Sequence, residues 1–190
     1  MEHKGITVNV SNRHVHLSPA DLEKLFGPGY KLTKLKDLMQ PGEHSCVETV
    51  TIAGKKGEQK ARILGPIRSA TQVEVSITDT FHLGIEAPVR PSGDIAGSAP
   101  VRIIGPKGSL DLKEGCIVAK RHVHMTTHDA TGFGVTNNQI VNIRCSGERG
   151  LVFENVVARV SDKMVLECHL DIDEANAAGT RNGDMVFIVR

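Results

Sequence analysis

The chain is 190 residues long, 39% hydrophobic and 24% charged, a balance that supports a folded core and excludes wholesale disorder. Its 23 Lys and Arg stand against 22 Asp and Glu, and it has no Trp, one Tyr and five Phe, so it lacks both the charge and the stacking platforms of a general nucleic-acid binder. No apolar run approaches the roughly 20 residues that span a bilayer, and the widely spaced Cys46, Cys116, Cys145 and Cys168 read as reduced thiols of a cytoplasmic protein rather than a disulfide framework.

Residues 1–5 carry no apolar signal-peptide core. Residues 7–10 form the first β-type run and enter Ser11-Asn12-Arg13-His14-Val15-His16-Leu17-Ser18. Ser18 is placed to cap a helix, with Pro19 at its first position and Asp21 in its first turn. Short strands are predicted over residues 47–52, 61–64, 71–77 and 101–104, separated by Gly54, Gly57, Gly65-Pro66 and Gly105-Pro106. Residues 116–119 then lead into Lys120-Arg121-His122-Val123-His124-Met125-Thr126, where Thr126 and Asp129 repeat the capping pattern. The remaining strands are predicted at 139–143, 156–160, 163–166 and 185–189, with a short helix at 173–178 ended by Gly179. Many short strands and few helices predict small barrels or sandwiches.

The two motifs share the frame Arg-His-Val-His-apolar-Ser/Thr-x-x-Asp, and His14 and His122 head copies 108 residues apart. Phe26-Gly27 and Phe133-Gly134 echo one another further on. Two related lobes are therefore expected, residues 1–95 and 96–190, with a boundary in the Pro/Gly/Ser-rich tract 91–98 and strand exchange between lobes compatible with the pattern.

On a strand, residues i and i+2 face the same way, so His14 with His16, and His122 with His124, can each offer two imidazoles to one metal. A third supply is Glu167-Cys168-His169-Leu170-Asp171, where His169 can join His122 and His124 to give the ligand count of an open zinc site. Its neighbour Cys168 faces the opposite way. In Gly65-Pro66-Ile67-Arg68 a turn presents Arg68, and on the strand that follows Gln72, Glu74 and Ser76 share one face. Glu74 is there a candidate metal ligand and Arg68 a fork for phosphate or carboxylate. Arg13 and Arg121 point away from the metal-binding face and are expected in ion pairs with Asp21, Asp129 or similar partners. His3, His44, His82 and His128 lack partners at ligand spacing. Neither GxxxxGK[ST], a strand-linked GxGxxG nor GxSxG occurs.

In their order and spacing, SNRHVHLS, LGPIRSATQVEVS, KRHVHM and ECHLDIDEANA resemble the PduL-type phosphate acyltransferases (phosphotransacylases), over roughly residues 6–190. The resemblance implies a mainly β fold of two similar small β-barrel domains, each capped by short helices, with the active site between them. It implies a dinuclear zinc site: one zinc held by His122, His124 and His169, the second by His14, His16 and Glu74, with Arg68 orienting phosphate. The activity implied is acyl-CoA + phosphate ⇌ acyl phosphate + CoA on an acetyl or propanoyl group, in propanediol or acetate metabolism. The family is linked to bacterial microcompartments, whose enzymes often carry an N-terminal targeting extension. About six residues precede the first strand here, so a cytoplasmic location is expected, with the microcompartment lumen as the alternative. Exposed barrel edges are compatible with a homodimer.

The chemistry is coherent without a protein nucleophile. Metal and Arg68 together would offset phosphate's charge and orient it towards the thioester carbonyl. A dinuclear zinc hydrolase of a phosphoester or thioester demands nearly the same ligands and is the competing reading. A structural zinc module predicts closed, Cys-rich sites instead.

Overall fold

The computed structural model describes residues 5–189; residues 1–4, including His3, and residue 190 lie outside the described residues. In chain order the strands are β1 (Ile6–Ser11), β2 (His14–His16), β3 (Lys34–Asp37), β4 (His44–Ala53), β5 (Glu58–Gly65), β6 (Gln72–Val75), β7 (Val89–Arg90), β8 (Ala99–Ile104), β9 (Ser109–Ala119), β10 (His122–Met125), β11 (Ile140–Cys145), β12 (Leu151–Val160), β13 (Glu167–Asp171) and β14 (Met185–Val189). The helices are α1 (Pro19–Phe26), α2 (Ile77–Leu83), α3 (Thr127–Phe133) and α4 (Ile172–Ala178). No helix among the described residues is long and apolar enough to cross a membrane.

The described chain divides into a first lobe, residues 12–38 and 42–119, and a second lobe, residues 5–11, 39–41 and 120–189. In the first lobe six strands close in the order β4-β5-β2-β6-β9-β8, with β8 returning to β4; β3 and β7 pair outside the ring. In the second, the ring is β1-β13-β10-β12-β11-β14, with β14 returning to β1. The expected mainly β fold of two small barrels with short helices is what the molecule has.

The two rings match strand for strand. Each HVH strand has one parallel and one antiparallel neighbour: β5 and β6 for β2, β12 and β13 for β10. The antiparallel neighbour is in turn parallel to the strand that precedes the other HVH motif in the chain, β9 for β6 and β1 for β13. The strand that runs into each HVH motif therefore belongs to the other lobe's ring.

The central valines explain why the motif sits where it does. Val15 and Val123 are both fully buried, packed with Leu17, Ile63 and Val73 in the first core and with Met125, Ile143 and Leu170 in the second. Burying such a side chain stabilises by about 1.5–3 kcal/mol. Strand alternation then commits the flanking histidines to the opposite face.

Each ligand-bearing strand stops at a helix cap two residues beyond its last candidate ligand. Ser18 follows His16, Ser76 follows Glu74, Thr126 follows His124 and Asp171 follows His169, and each of these side chains accepts the N–H of the third helical residue.

Two segments depart from the sequence expectation. Residues 71–77 do not form one strand: β6 ends at Val75, and Ser76 caps α2 instead of extending a polar face. Residues 163–166 form a turn, and the strand begins only at Glu167, so His169 lies within it. The cause is a long-range contact: the Val165 N–H and C=O are engaged by the Gln40 side chain, at 3.3 and 3.1 Å, rather than by a neighbouring strand.

Candidate functional site

In the first lobe His14, His16 and Glu74 bring their ligand atoms within 4.8 Å of one another; in the second His122, His124 and His169 do the same. Register accounts for both. On the antiparallel neighbour, Glu74 stands opposite His14, and His169 stands opposite His122. The structure brings the six candidate residues together in two groups of three.

The first histidine of each motif is oriented by the same device. His14 Nδ1 lies 2.8 Å from the Asn12 carbonyl and His122 Nδ1 lies 2.8 Å from the Lys120 carbonyl. A carbonyl only accepts, so Nδ1 carries the hydrogen and Nε2 turns its lone pair inward. His14 Nε2 then faces Glu74 Oε2 at 3.4 Å. His122 Nε2 faces His124 Nε2 at 3.0 Å, close to the roughly 3.3 Å that separates two nitrogens on one tetrahedral zinc. His16 Nδ1 is buried and has no hydrogen-bond partner. Convergent ligand atoms in both sets, and an orphaned buried nitrogen in the first, fit a divalent cation. Two imidazoles with a carboxylate, and three imidazoles, are both ligand sets that leave a catalytic zinc an open position.

The electrostatics favour the ligating forms of His16, His124 and Glu74, but not of His14. Burial, then the neighbouring His14 and Arg68, push His16 down to about 3. Burial and the rings of His122 and His169 push His124 down to about 2. Burial opposes ionisation of Glu74, but His14, His16 and Ser92 outweigh it and hold the carboxyl well below its usual range. His14 is the counterpart: burial disfavours its charge, yet Glu74 raises its pKa above the ordinary value. Neutral imidazole and ionised carboxylate are the forms that bind metal.

Arg68 belongs to the first lobe's set. Its charge acts on both His14 and His16, its Nη1 donates to Ser92 Oγ at 3.2 Å, and its Nη2 lies 3.5 Å from Glu43 Oε1. Ser92 Oγ in turn donates to Glu74 Oε1 at 2.7 Å, so one hydroxyl links the guanidinium to the candidate ligand. Nothing in the sequence marks Ser92, which lies in the loop after β7.

Arg13 and Arg121 do point away and form ion pairs, but their partners are Asp79 and Glu174, each at 2.7 Å. These are the third residues of α2 and α4, the helices that follow the third-ligand strands. Asp21 and Asp129 are occupied by their own helix caps. The four cysteines are free and buried, and burial pushes Cys116 up to about 12 and Cys145 up to about 11, which leaves them poor nucleophiles.

A family model described as Phosphate propanoyltransferase matches residues 7–181. The chain belongs to the phosphate propanoyltransferase family, a family of phosphate acyltransferases. A Thermotoga maritima protein named Phosphate propanoyltransferase is 54% identical over 187 residues, covering 97% of this chain and 89% of the relative. Proteins of the same name from Clostridioides difficile and Salmonella typhimurium are 50% and 48% identical, over 97% and 96% of this chain and 89% and 87% of theirs.

Proposed function

We propose that this chain interconverts a short-chain acyl-CoA and phosphate with acyl phosphate and CoA, using two zinc ions, one in each three-ligand set. The observation that carries the reading is the grouping of Arg68 with His14, His16 and Glu74, tied through Ser92, in a chain of this family. The relatives' name makes propanoyl the first acyl group to test. Free thiols throughout fit a reducing compartment, and we place the protein in the cytoplasm.

When bound, zinc would supply a Lewis acid for phosphate oxygens and for charge developing on the thioester carbonyl. The chain's own contribution is positioning. Arg68 offers a planar fork that holds phosphate bidentately and offsets its charge, and Ser92 fixes the fork relative to Glu74. A phosphate oxygen so held attacks the acyl carbon, the C–S bond breaks, and the sulfur leaves with CoA. No side chain forms a covalent intermediate in this scheme, and the buried thiols are consistent with that.

The test is phosphate-dependent release of CoA from propanoyl-CoA. Arg68→Ala should keep its metal and lose about 10²-fold in kcat/KM, roughly 2.7 kcal/mol of transition-state stabilisation. Arg68→Lys should recover only part, since the ammonium keeps charge but not the fork. CoA release at full rate without phosphate would mean hydrolysis, and an Arg68→Ala variant as fast as its parent at subsaturating phosphate would overturn the role of Arg68.

A further inference from the structure

Two residues before each third candidate ligand, and opposite the second histidine of each HVH motif, the two rings carry different residues at one register position. Gln72 pairs with His16, and Glu167 pairs with His124. Both side chains are buried, with exposures of 2% and 0%. Gln72 Nε2 donates to Glu74 Oε1 at 2.6 Å, whereas Glu167 Oε2 lies 2.7 Å from His169 Nε2. The pattern is complementary: the carboxylate ligand has an amide donor behind it, and the imidazole ligand has a carboxylate acceptor.

The surroundings fix each orientation. The Gly93 N–H donates to Gln72 Oε1 at 2.7 Å, and since a backbone N–H can only donate, the amide nitrogen must face Glu74. Glu167 receives Asn9 Nδ2 on Oε1 at 2.7 Å and Gln40 Nε2 on Oε2 at 2.6 Å. Gln40 is itself oriented, because the Val165 N–H donates to its oxygen while its nitrogen donates to the Val165 carbonyl. With both carboxylate oxygens accepting, His169 Nε2 carries the hydrogen towards Glu167, and Nδ1 is the nitrogen left for a cation. A fully buried carboxylate is costly when its partners are two neutral amides and an imidazole. A cation on the far side of that imidazole would supply the missing positive charge, as in the carboxylate–histidine–zinc arrangement.

We propose that Gln72 and Glu167 are positioning residues matched in polarity to the ligand each one holds, Gln72 for Glu74 and Glu167 for His169. This rests on the metal reading above. Neither residue would touch the reacting atoms; each fixes the direction of a side chain that would hold the metal.

The test uses the whole chain and zinc alone, titrated against a chromophoric chelator, with the cobalt-substituted protein as a spectroscopic check. Glu167→Gln keeps shape and removes the charge, and should weaken zinc at one of two sites by about 10–100-fold. Its cobalt spectrum should change, while the metal-free variant melts no lower than the metal-free parent, because a buried charge has been removed. Gln72→Met should weaken one site by about 10-fold with the same stability pattern. If Glu167→Gln binds two zinc ions with parental affinity and an unchanged cobalt spectrum, the inference is wrong. It is equally wrong if the metal-free variant is destabilised as much as the loaded one, since Glu167 would then be structural. A parent chain that binds no zinc would instead overturn the metal reading itself.

Discussion

The strand opposite the HVH motif reads Gln72-Val73-Glu74 in the first lobe and Glu167-Cys168-His169 in the second, and both pair in the same register with two histidines. The first lobe puts its carboxylate among the candidate ligands; the second puts it behind an imidazole. Each set thus keeps one carboxylate beside its candidate ligands but changes its distance from the place a cation would take. A charge in direct contact offsets more of a cation's field than one relayed through a ring. The two lobes share strand order and helix caps, while the ligand types at matching positions differ.

The comparison breaks most visibly if one set is dispensable. His16→Ala and His124→Ala should each leave about one zinc per chain and cost about 10³-fold in turnover, about 4 kcal/mol, because each removes a ligand from a separate set. Metal analysis beside the CoA-release assay checks this. Full activity in either variant would mean that only the other set is catalytic.

The two arginines should differ in what they contribute to stability. Arg13 contacts Asp79 through both Nε and Nη2, at 2.8 and 2.7 Å, and Asp79 is almost wholly buried. Arg121 makes one contact to the more exposed Glu174, with its Nε on the Glu154 carbonyl and its fork 5.2 Å from the Phe153 ring centroid. Arg13→Ala should therefore cost about 3 kcal/mol by leaving a buried charge unpaired. Arg121→Ala should cost about 1–1.5 kcal/mol. Thermal or urea unfolding of the two variants decides the order, and a larger loss for Arg121→Ala would reverse the argument.

The helix caps should behave alike in both lobes, because Ser76 and Thr126 close the same kind of capping box. Replacing either by Ala should cost about 1 kcal/mol, or roughly 2–4 °C in Tm. Unequal losses would show that the lobes differ in more than ligand polarity.

What could be read from the residues alone follows from how local the signal is. The HVH pairs and caps are legible because strand alternation and capping act within five residues, and Glu74 and His169 announce themselves as ligand types on polar faces. Helix α2 is missed: its signal, Ser76-x-x-Asp79, is masked by the apolar run through Val75 and Ile77, which reads as one strand over 71–77. Strand β3 gives no signal: all four residues of Lys34–Asp37 are exposed, and its charges guard an edge rather than mark a core. The partners of Arg13 and Arg121 lie 66 and 53 residues away, and Gln40 reaches Glu167 across 127. No spacing rule reports such pairs. They appear only once register sets which strands are neighbours.

The smallest expected effect tests whether the residue between the two polar positions is merely apolar. Cys168 pairs with Val8 across β13 and β1, and Val73 pairs with Cys116 across β6 and β9, so the two lobes hold the same Cys–Val pair in opposite order. All four side chains are buried, and burial, reinforced by Cys145, raises the Cys168 thiol far above its ordinary pKa. A thiol in that setting is a small hydrophobe, not a metal ligand, even though it adjoins His169. The double variant Val8→Cys with Cys168→Val recreates the first lobe's order and conserves total volume, so it should cost less than about 1.5 kcal/mol. Zinc content and kcat/KM should stay at parental values. Loss of one zinc in that variant, with the fold intact by circular dichroism, would make Cys168 a ligand and end the parallel between Val73 and Cys168 on which the matched-lobe reading rests.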